Sequence, residues 1–272
     1  MTKLFLCKLI FILVIGFDFN IIVVFLSVYM SKDVFKFKKF AVSHAKSSMR
    51  VGTDAVLLGA WAEPALEALS NSFRVLDIGC GCGLVGMMIA QRYPNSFVVG
   101  VDIDEASVLE ASENADNSPF ADRLSFSCKD IREYSKEESL QQSFHFILCN
   151  PPYYIEDTLP PDERRSKARN SSHLSFADLL LSVKSLLVEH GVFSVVLPMQ
   201  ARERFVAEAI KVGLYIKREC RVQTTLSKTP KRVLLEFEKK MIGFADVETL
   251  VLQGEDGKRS HQYSLLCQDF YL

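Results

Sequence analysis

The stretch VLDIGCGCGLVG, residues 75–86, constrains the fold of this 272-residue chain more than any other. An aliphatic run passes directly into glycines at 79, 81 and 83 and then into a second apolar run. That order reads as a buried strand turning sharply into a helix. A strand followed at once by a helix is half of a βαβ unit, and such units build parallel sheets. The chain repeats the alternation. Strands are expected at 73–79, 96–102, 124–128, 144–149, 192–198, 215–223 and 232–238, and helices at 84–93, 105–117, 176–191 and 201–213, with Gly191 stopping the third helix. A short helix at 53–62, capped by Thr53 or Asp54, precedes them. The expectation is an α/β domain with a mostly parallel sheet covered on both faces, its ligands bound beyond the C-terminal strand ends.

The glycines alone leave two ligands open, because Gly81-x-Gly83-x-x-Gly86 also fits a dinucleotide fingerprint. The acids around the turn narrow the choice. A carboxylate at Asp77, inside the strand end, would repel a pyrophosphate but suits a cationic or amine-bearing ligand. S-adenosylmethionine carries both a sulfonium and an α-amino group. Asp102, at the end of the second strand, is placed to accept both ribose hydroxyls, with Asp104 as the alternative. Asp130, after the third strand, could accept an adenine amino group. This order of acids and glycines resembles the class I S-adenosylmethionine-dependent methyltransferases over roughly residues 74–237. The resemblance implies a Rossmann-like, seven-stranded fold, with Asp77, Gly79, Gly81, Gly83, Asp102 and Asp130 at the cofactor.

The fourth strand ends abruptly in Asn150-Pro151-Pro152-Tyr153. An exocyclic amine on a base is a poor nucleophile, since its lone pair is delocalised into the ring. Acceptors that draw on its two hydrogens favour a tetrahedral nitrogen. The Asn150 side-chain oxygen can accept one hydrogen and the Pro151 carbonyl the other, and the prolines fix that carbonyl in place. No strong base is required, because the stabilisation is electrostatic and preorganised. Tyr153 offers a flat face for an extruded base, at about 1–3 kcal/mol. Catalysis is therefore expected from Asn150, Pro151, Pro152 and Tyr153. NPPY in this register is the signature of methyltransferases acting on planar amides or amines, so it specifies the reaction better than the substrate.

The segment FKFKKFAVSHAKSSMRVGTDAVLLGAWA (35–62) bears on the substrate. It resembles the start of the tRNA1(Val) (adenine-37-N6)-methyltransferase family, in Phe37, Phe40, His44, Met49, Val51, Gly52, Thr53, Asp54, Leu57, Leu58, Gly59, Ala60 and Trp61. The resemblance continues through NPPY to the T-P-K-R segment at 229–232. It implies that His44, Lys46, Met49 and Thr53 lie near the cofactor or the target base. From the residues themselves, Gly52-Thr53-Asp54 can start a helix whose positive end faces a ligand. A formal net charge of −1 gives no global attraction for nucleic acid. Local basic groups do: Lys32 to Arg50, then Arg164, Arg165, Lys167 and Arg169, then Lys228, Lys231 and Arg232. His44, Lys46, Arg164, Arg165, Lys231 and Arg232 are the expected substrate contacts, on tRNA.

Residues 1–29 are a separate, apolar leader, and the methyltransferase domain is expected at 30–272, with 30–62 as its substrate and cofactor segment. The leader is long enough to span a bilayer, and Lys32, Lys36, Lys38 and Lys39 after it favour a cytoplasmic domain. Two readings stand, an upstream extension that the functional protein lacks and a genuine anchor. The family pattern has no counterpart for it. The seven cysteines form no paired or zinc-binding framework, so reduced thiols, no metal and a cytoplasmic location are expected. A monomer is expected as well. Two rival functions remain. A release-factor glutamine N5 methyltransferase would carry an extra helical domain before residue 74. A membrane-tethered binding protein would keep the fold without turnover and has no need of NPPY.

Overall fold

Each central strand is apolar at successive positions, as a sheet covered on both faces demands. The computed structural model describes residues 33–47, 50–151, 174–241 and 243–272. A small antiparallel hairpin, β1 (Val34–Lys36) and β2 (Ala41–Ser43), leads into α1 (Thr53–Trp61). Then come β3 (Phe73–Ile78), α2 (Leu84–Arg92), β4 (Ser96–Asp102), α3 (Glu105–Asp116), β5 (Leu124–Cys128), α4 (Ile131–Tyr134) and β6 (Phe144–Cys149). The C-terminal half holds α5 (Phe176–Leu186), β7 (Leu187–Pro198), α6 (Arg202–Lys211), β8 (Tyr215–Gln223), β9 (Arg232–Glu238), β10 (Asp246–Val251) and α7 (His261–Leu266).

Eight strands form one sheet in the order β10-β8-β9-β7-β6-β3-β4-β5. Only the pairings of β9 with β7 and β8 are antiparallel. The expected count of seven is exceeded by β10, an edge strand whose first four residues are exposed and whose alternation is therefore weak. The side chains divide by strand alternation. Val75, Phe146, Leu148, Val192, Val196 and Leu234 pack under α1 and α2. Leu76, Ile78, Ile147, Phe193, Val195 and Phe237 pack under α5 and α6.

Two boundary expectations are corrected. The helix starting at Phe176 ends at Leu186, and Gly191 lies inside β7. A Cβ there would sit 2.6 Å from Leu187 Cδ1 and 3.0 Å from the His145 carbonyl oxygen, so this glycine answers crowding in the sheet rather than a helix stop. The N-cap of α1 is Gly52, while Asp54 pairs with Arg232. Helix α1 crosses α2 closely: a Cβ on Gly59 would come within 2.7 Å of Met88 Sδ. Arg92 secures the crossing by donating to the carbonyls of Gly59 and Ala62.

The parallel strands carry Cys128, Asp102, Ile78, Cys149 and Pro198 to one rim of the sheet. Because β9 runs antiparallel, its first residue, Arg232, pairs with Pro198 at that same rim. The hairpin packs on the chain's far end: Phe37 stacks with Phe40 and Tyr271, and the Lys38 N–H donates to the Phe270 carbonyl. Among the described residues no helix is long and apolar enough to cross a membrane. The apolar leader at 1–29 lies outside them, as do Pro152, Tyr153, Arg164, Arg165, Lys167, Arg169 and Met49.

Candidate active site

The turn after β3 is stitched to the neighbouring strand, since the N–H groups of Gly79 and Cys80 both donate to the Val101 carbonyl, at 2.8 and 3.2 Å. Gly79, Gly81 and Gly83 all have positive φ, at 69°, 52° and 81°. Their surroundings differ. A Cβ on Gly79 or Gly81 would meet nothing within 4 Å, whereas one on Gly83 would lie 2.9 Å from Phe126 Cζ and 3.2 Å from Ala111 Cβ. The first two glycines thus line open space, as a ligand cradle requires. Gly83 is the N-cap of α2, packed against Ala111 of α3 and Phe126 of β5.

The acids also separate by task. Asp102 stands at the end of β4 with Oδ2 accepting from Gly81 N–H at 2.9 Å and Oδ1 from Asp104 N–H at 3.0 Å. These bonds fix a carboxylate beside the cradle. Asp104, the alternative ribose acceptor, is the N-cap of α3, its Oδ2 accepting from the N–H and hydroxyl of Ser107. Asp77 is almost wholly buried, and its Oδ2 accepts from Gly86 N–H at 3.0 Å. Burial pushes its carboxyl up to about 7, against the opposing Gly86 bond and with help from the Asp102 charge. Asp130 caps α4 and is gripped by the Arg132 guanidinium, which holds its carboxyl below the usual range. An adenine amino group would have to share that carboxylate with Arg132.

On the acceptor side, β6 runs parallel to β3 in the register Ile78↔Cys149. Asn150 therefore leaves β6 where Gly79 leaves β3, one strand spacing away, about 4.8 Å. Asn150 and Pro151 are both buried. The neighbouring Cys149 thiol is pushed well above its usual range by burial and by the charges of Asp77 and Asp102, so it is an inert apolar filler and not a nucleophile.

The N-terminal segment comes to the same rim. His44 is 8% exposed, and its Nδ1 has no hydrogen-bond partner among the described residues. The ammonium of Lys46 reaches Glu113 at 2.8 Å, and Arg232 Nε reaches Asp54 at 2.8 Å. Both expected phosphate contacts are thus engaged within the protein, while Lys231 is exposed. Thr53 is exposed at the first position of α1. Glu110 and Asn114, which grip residues 43–47, were not among the expected site residues. Their spacing, four apart on one helix face, was the available signal. Among the described residues no group of three or more His, Cys, Asp or Glu could hold a metal ion.

The cradle fits a nucleoside bearing a cationic group: open backbone at Gly79 and Gly81, a fixed carboxylate at Asp102, and a buried acid beneath. Comparison with known proteins agrees. The family model described as methyltransferase small domain matches residues 58–162. Among solved structures, one described as a predicted O-methyltransferase from Agrobacterium tumefaciens superposes with a TM-score of 0.59, covering 80% of this chain and 96% of that one. At 19% identity it speaks for the fold alone. The tRNA1(Val) (adenine(37)-N6)-methyltransferase of Bacteroides fragilis is 40% identical over 244 residues, 89% of this chain and 99% of the relative. The protein of that name from an Enterobacter species is 36% identical, again over 89% of this chain and 96% of its own length. By this extent of identity, the chain belongs to the tRNA1(Val) (adenine(37)-N6)-methyltransferase family.

Proposed function

We propose that the chain transfers a methyl group from S-adenosylmethionine to N6 of adenine 37 in tRNA1(Val), acting in the cytoplasm through the domain at 30–272. The reading rests above all on one observation, the register that sets Asn150 beside the glycine cradle. The bound cofactor supplies an electrophilic methyl on a sulfonium. The chain's own residues do the rest. Gly79 and Gly81 let the backbone come close to the ligand, and Asp102 accepts from the ribose hydroxyls. The Asn150 side-chain oxygen and the Pro151 carbonyl each accept one hydrogen of the adenine amine. The nitrogen lone pair is then free to form the new N–C bond as the methyl's bond to sulfur breaks and its electron pair stays on sulfur, leaving a neutral thioether; the alkylated nitrogen afterwards sheds one of those protons to water. His44, whose buried Nδ1 has no partner among the described residues, and Thr53 face the bound ligands. Lys231, together with Arg164 and Arg165, meets tRNA phosphates, and Tyr153 stacks on the base.

The test is direct. Protein from Met30 onward is incubated with methyl-labelled cofactor and unmodified tRNA, and the nucleosides are resolved by mass spectrometry. Label in N6-methyladenosine at position 37 is expected. Label in protein glutamine, or none, overturns the reading. Asn150→Ala should lower the rate by about two to three orders of magnitude, as loss of one preorganised polar contact does, with little change in cofactor affinity.

A further inference from the structure

Glu110 lies on α3 with no exposed surface. A buried carboxylate is costly unless its lone pairs are used. Here five donors from one short stretch use them. The N–H groups of Ala45 and Lys46 and the Ser43 hydroxyl reach Oε1 at 2.8, 3.0 and 3.0 Å. The N–H and hydroxyl of Ser47 reach Oε2 at 2.8 and 2.6 Å. One helical turn on, the Asn114 side chain accepts from Ser43 N–H at 2.8 Å and donates to the Ser43 carbonyl at 2.8 Å and the Cys82 carbonyl at 2.9 Å. Asn114 thereby joins the N-terminal arm to the glycine turn itself.

The arm's other anchor is Asp54, bonded to Arg232 where β9 begins at the rim. Helix α1 packs on α2, and Asn114 ties α3 to the turn that opens α2. Ser47 is thus held on α3, and Asp54 stands on α1, which packs on α2. His44 sits in the gripped stretch with its buried Nδ1 unpartnered among the described residues. An unmatched buried nitrogen is unfavourable, and a ligand beside it would remove that cost.

We infer that Glu110 and Asn114 are positioning residues for methyl transfer, holding residues 43–47 in one register against the glycine turn so that His44 stands beside the methyl-donor cradle. The inference rests on the methyl-donor reading of that cradle. Packing alone could place an apolar residue at position 110 at lower cost, whereas a carboxylate with five directed bonds specifies one position of the arm.

The test measures S-adenosylhomocysteine binding to the full chain by calorimetry, cofactor KM and kcat, and amide exchange of residues 43–47. Glu110→Gln keeps the shape but sets an amide N–H group against a backbone donor. The expected result is a folded variant with unchanged binding stoichiometry, a dissociation constant and cofactor KM at least about tenfold higher, and faster exchange at residues 45–47. A role confined to stability would lower stoichiometry and kcat together and leave the dissociation constant in place. Wild-type affinity in Glu110→Gln overturns the inference. Should that variant fail to fold, the Ser43→Ala/Ser47→Ala pair, which removes only two hydroxyl donors, is expected to weaken binding about threefold. Wild-type affinity there overturns the inference equally. A wild-type chain that binds no S-adenosylhomocysteine overturns the donor reading and this inference with it, so the two failures are distinct.

Discussion

The glycine turn and the N-terminal arm border one cradle, and they are held there by different means. The turn is built from its own backbone: positive φ angles at 79, 81 and 83, and N–H bonds to Val101 on the adjacent strand. Residues 44–47, which follow β2, form no helix or strand of their own. Side chains 63 to 71 residues away in sequence hold the arm, chiefly Glu110 and Asn114. A turn of the first kind is rigid because its conformation is its sequence. A segment of the second kind is rigid only while remote partners are in place, which makes it the part that can yield when ligands enter and leave.

The contrast can be broken most sharply within the turn. Gly83→Ala faces both a left-handed backbone and a 2.9 Å approach to Phe126, and should cost about 2–4 kcal/mol in urea unfolding. Gly79→Ala faces the backbone strain alone, about 1–2 kcal/mol, but puts a methyl into the open cradle and should raise cofactor KM. Equal unfolding midpoints for the two variants would remove the distinction between a packed glycine and a cradle glycine.

Asp77 sharpens the comparison from beneath the turn. Its folded carboxyl titrates near about 7, above its unfolded value. The folded chain therefore keeps a proton that the unfolded chain releases. The associated stability is complete below the ordinary carboxylate range and is lost as pH rises towards about 7. Asp77→Asn retains an acceptor for Gly86 and stays neutral. At pH 8 it should melt higher than wild type, by roughly 1–2 kcal/mol, while binding a cationic donor less well. A melting difference that does not grow between pH 5 and pH 8 would count against this assignment.

The smallest effect belongs to the arm's outer anchor. Asp54 and Arg232 are both partly exposed, so a double-mutant cycle should give a coupling of about 0.5–1 kcal/mol. A coupling of several kcal/mol would make the arm's two ends equals and erase the difference drawn with Glu110.

The turn was legible in the sequence because everything that makes it is contiguous: an apolar run, three glycines and the acids that follow successive strands. Asn150 was legible for the same reason, standing at the tip of a buried strand in a sheet whose parallel strands end at one rim. Glu110 was not. Within EASVLEASENADN it looks like any solvent-facing acid, and its partners lie across the fold. Lys46 and Arg232 were counted as free positive charge, but Glu113 and Asp54 answer them. A residue count carries no information about such pairings. Edge strand β10 was missed because its first four residues are solvent-exposed, so the alternation that marks half-buried strands is absent.

The stacking of Phe37 on Tyr271, and the bond from the Lys38 N–H to the Phe270 carbonyl, have a consequence for how the protein is made. The hairpin that launches the arm rests on residues at the opposite end of the chain. During synthesis the sheet's first strands can pair early, but the hairpin has no floor until residues 270 and 271 have emerged. The hairpin is thus seated last, and a nascent chain stalled before that point would carry the glycine turn without a docked hairpin.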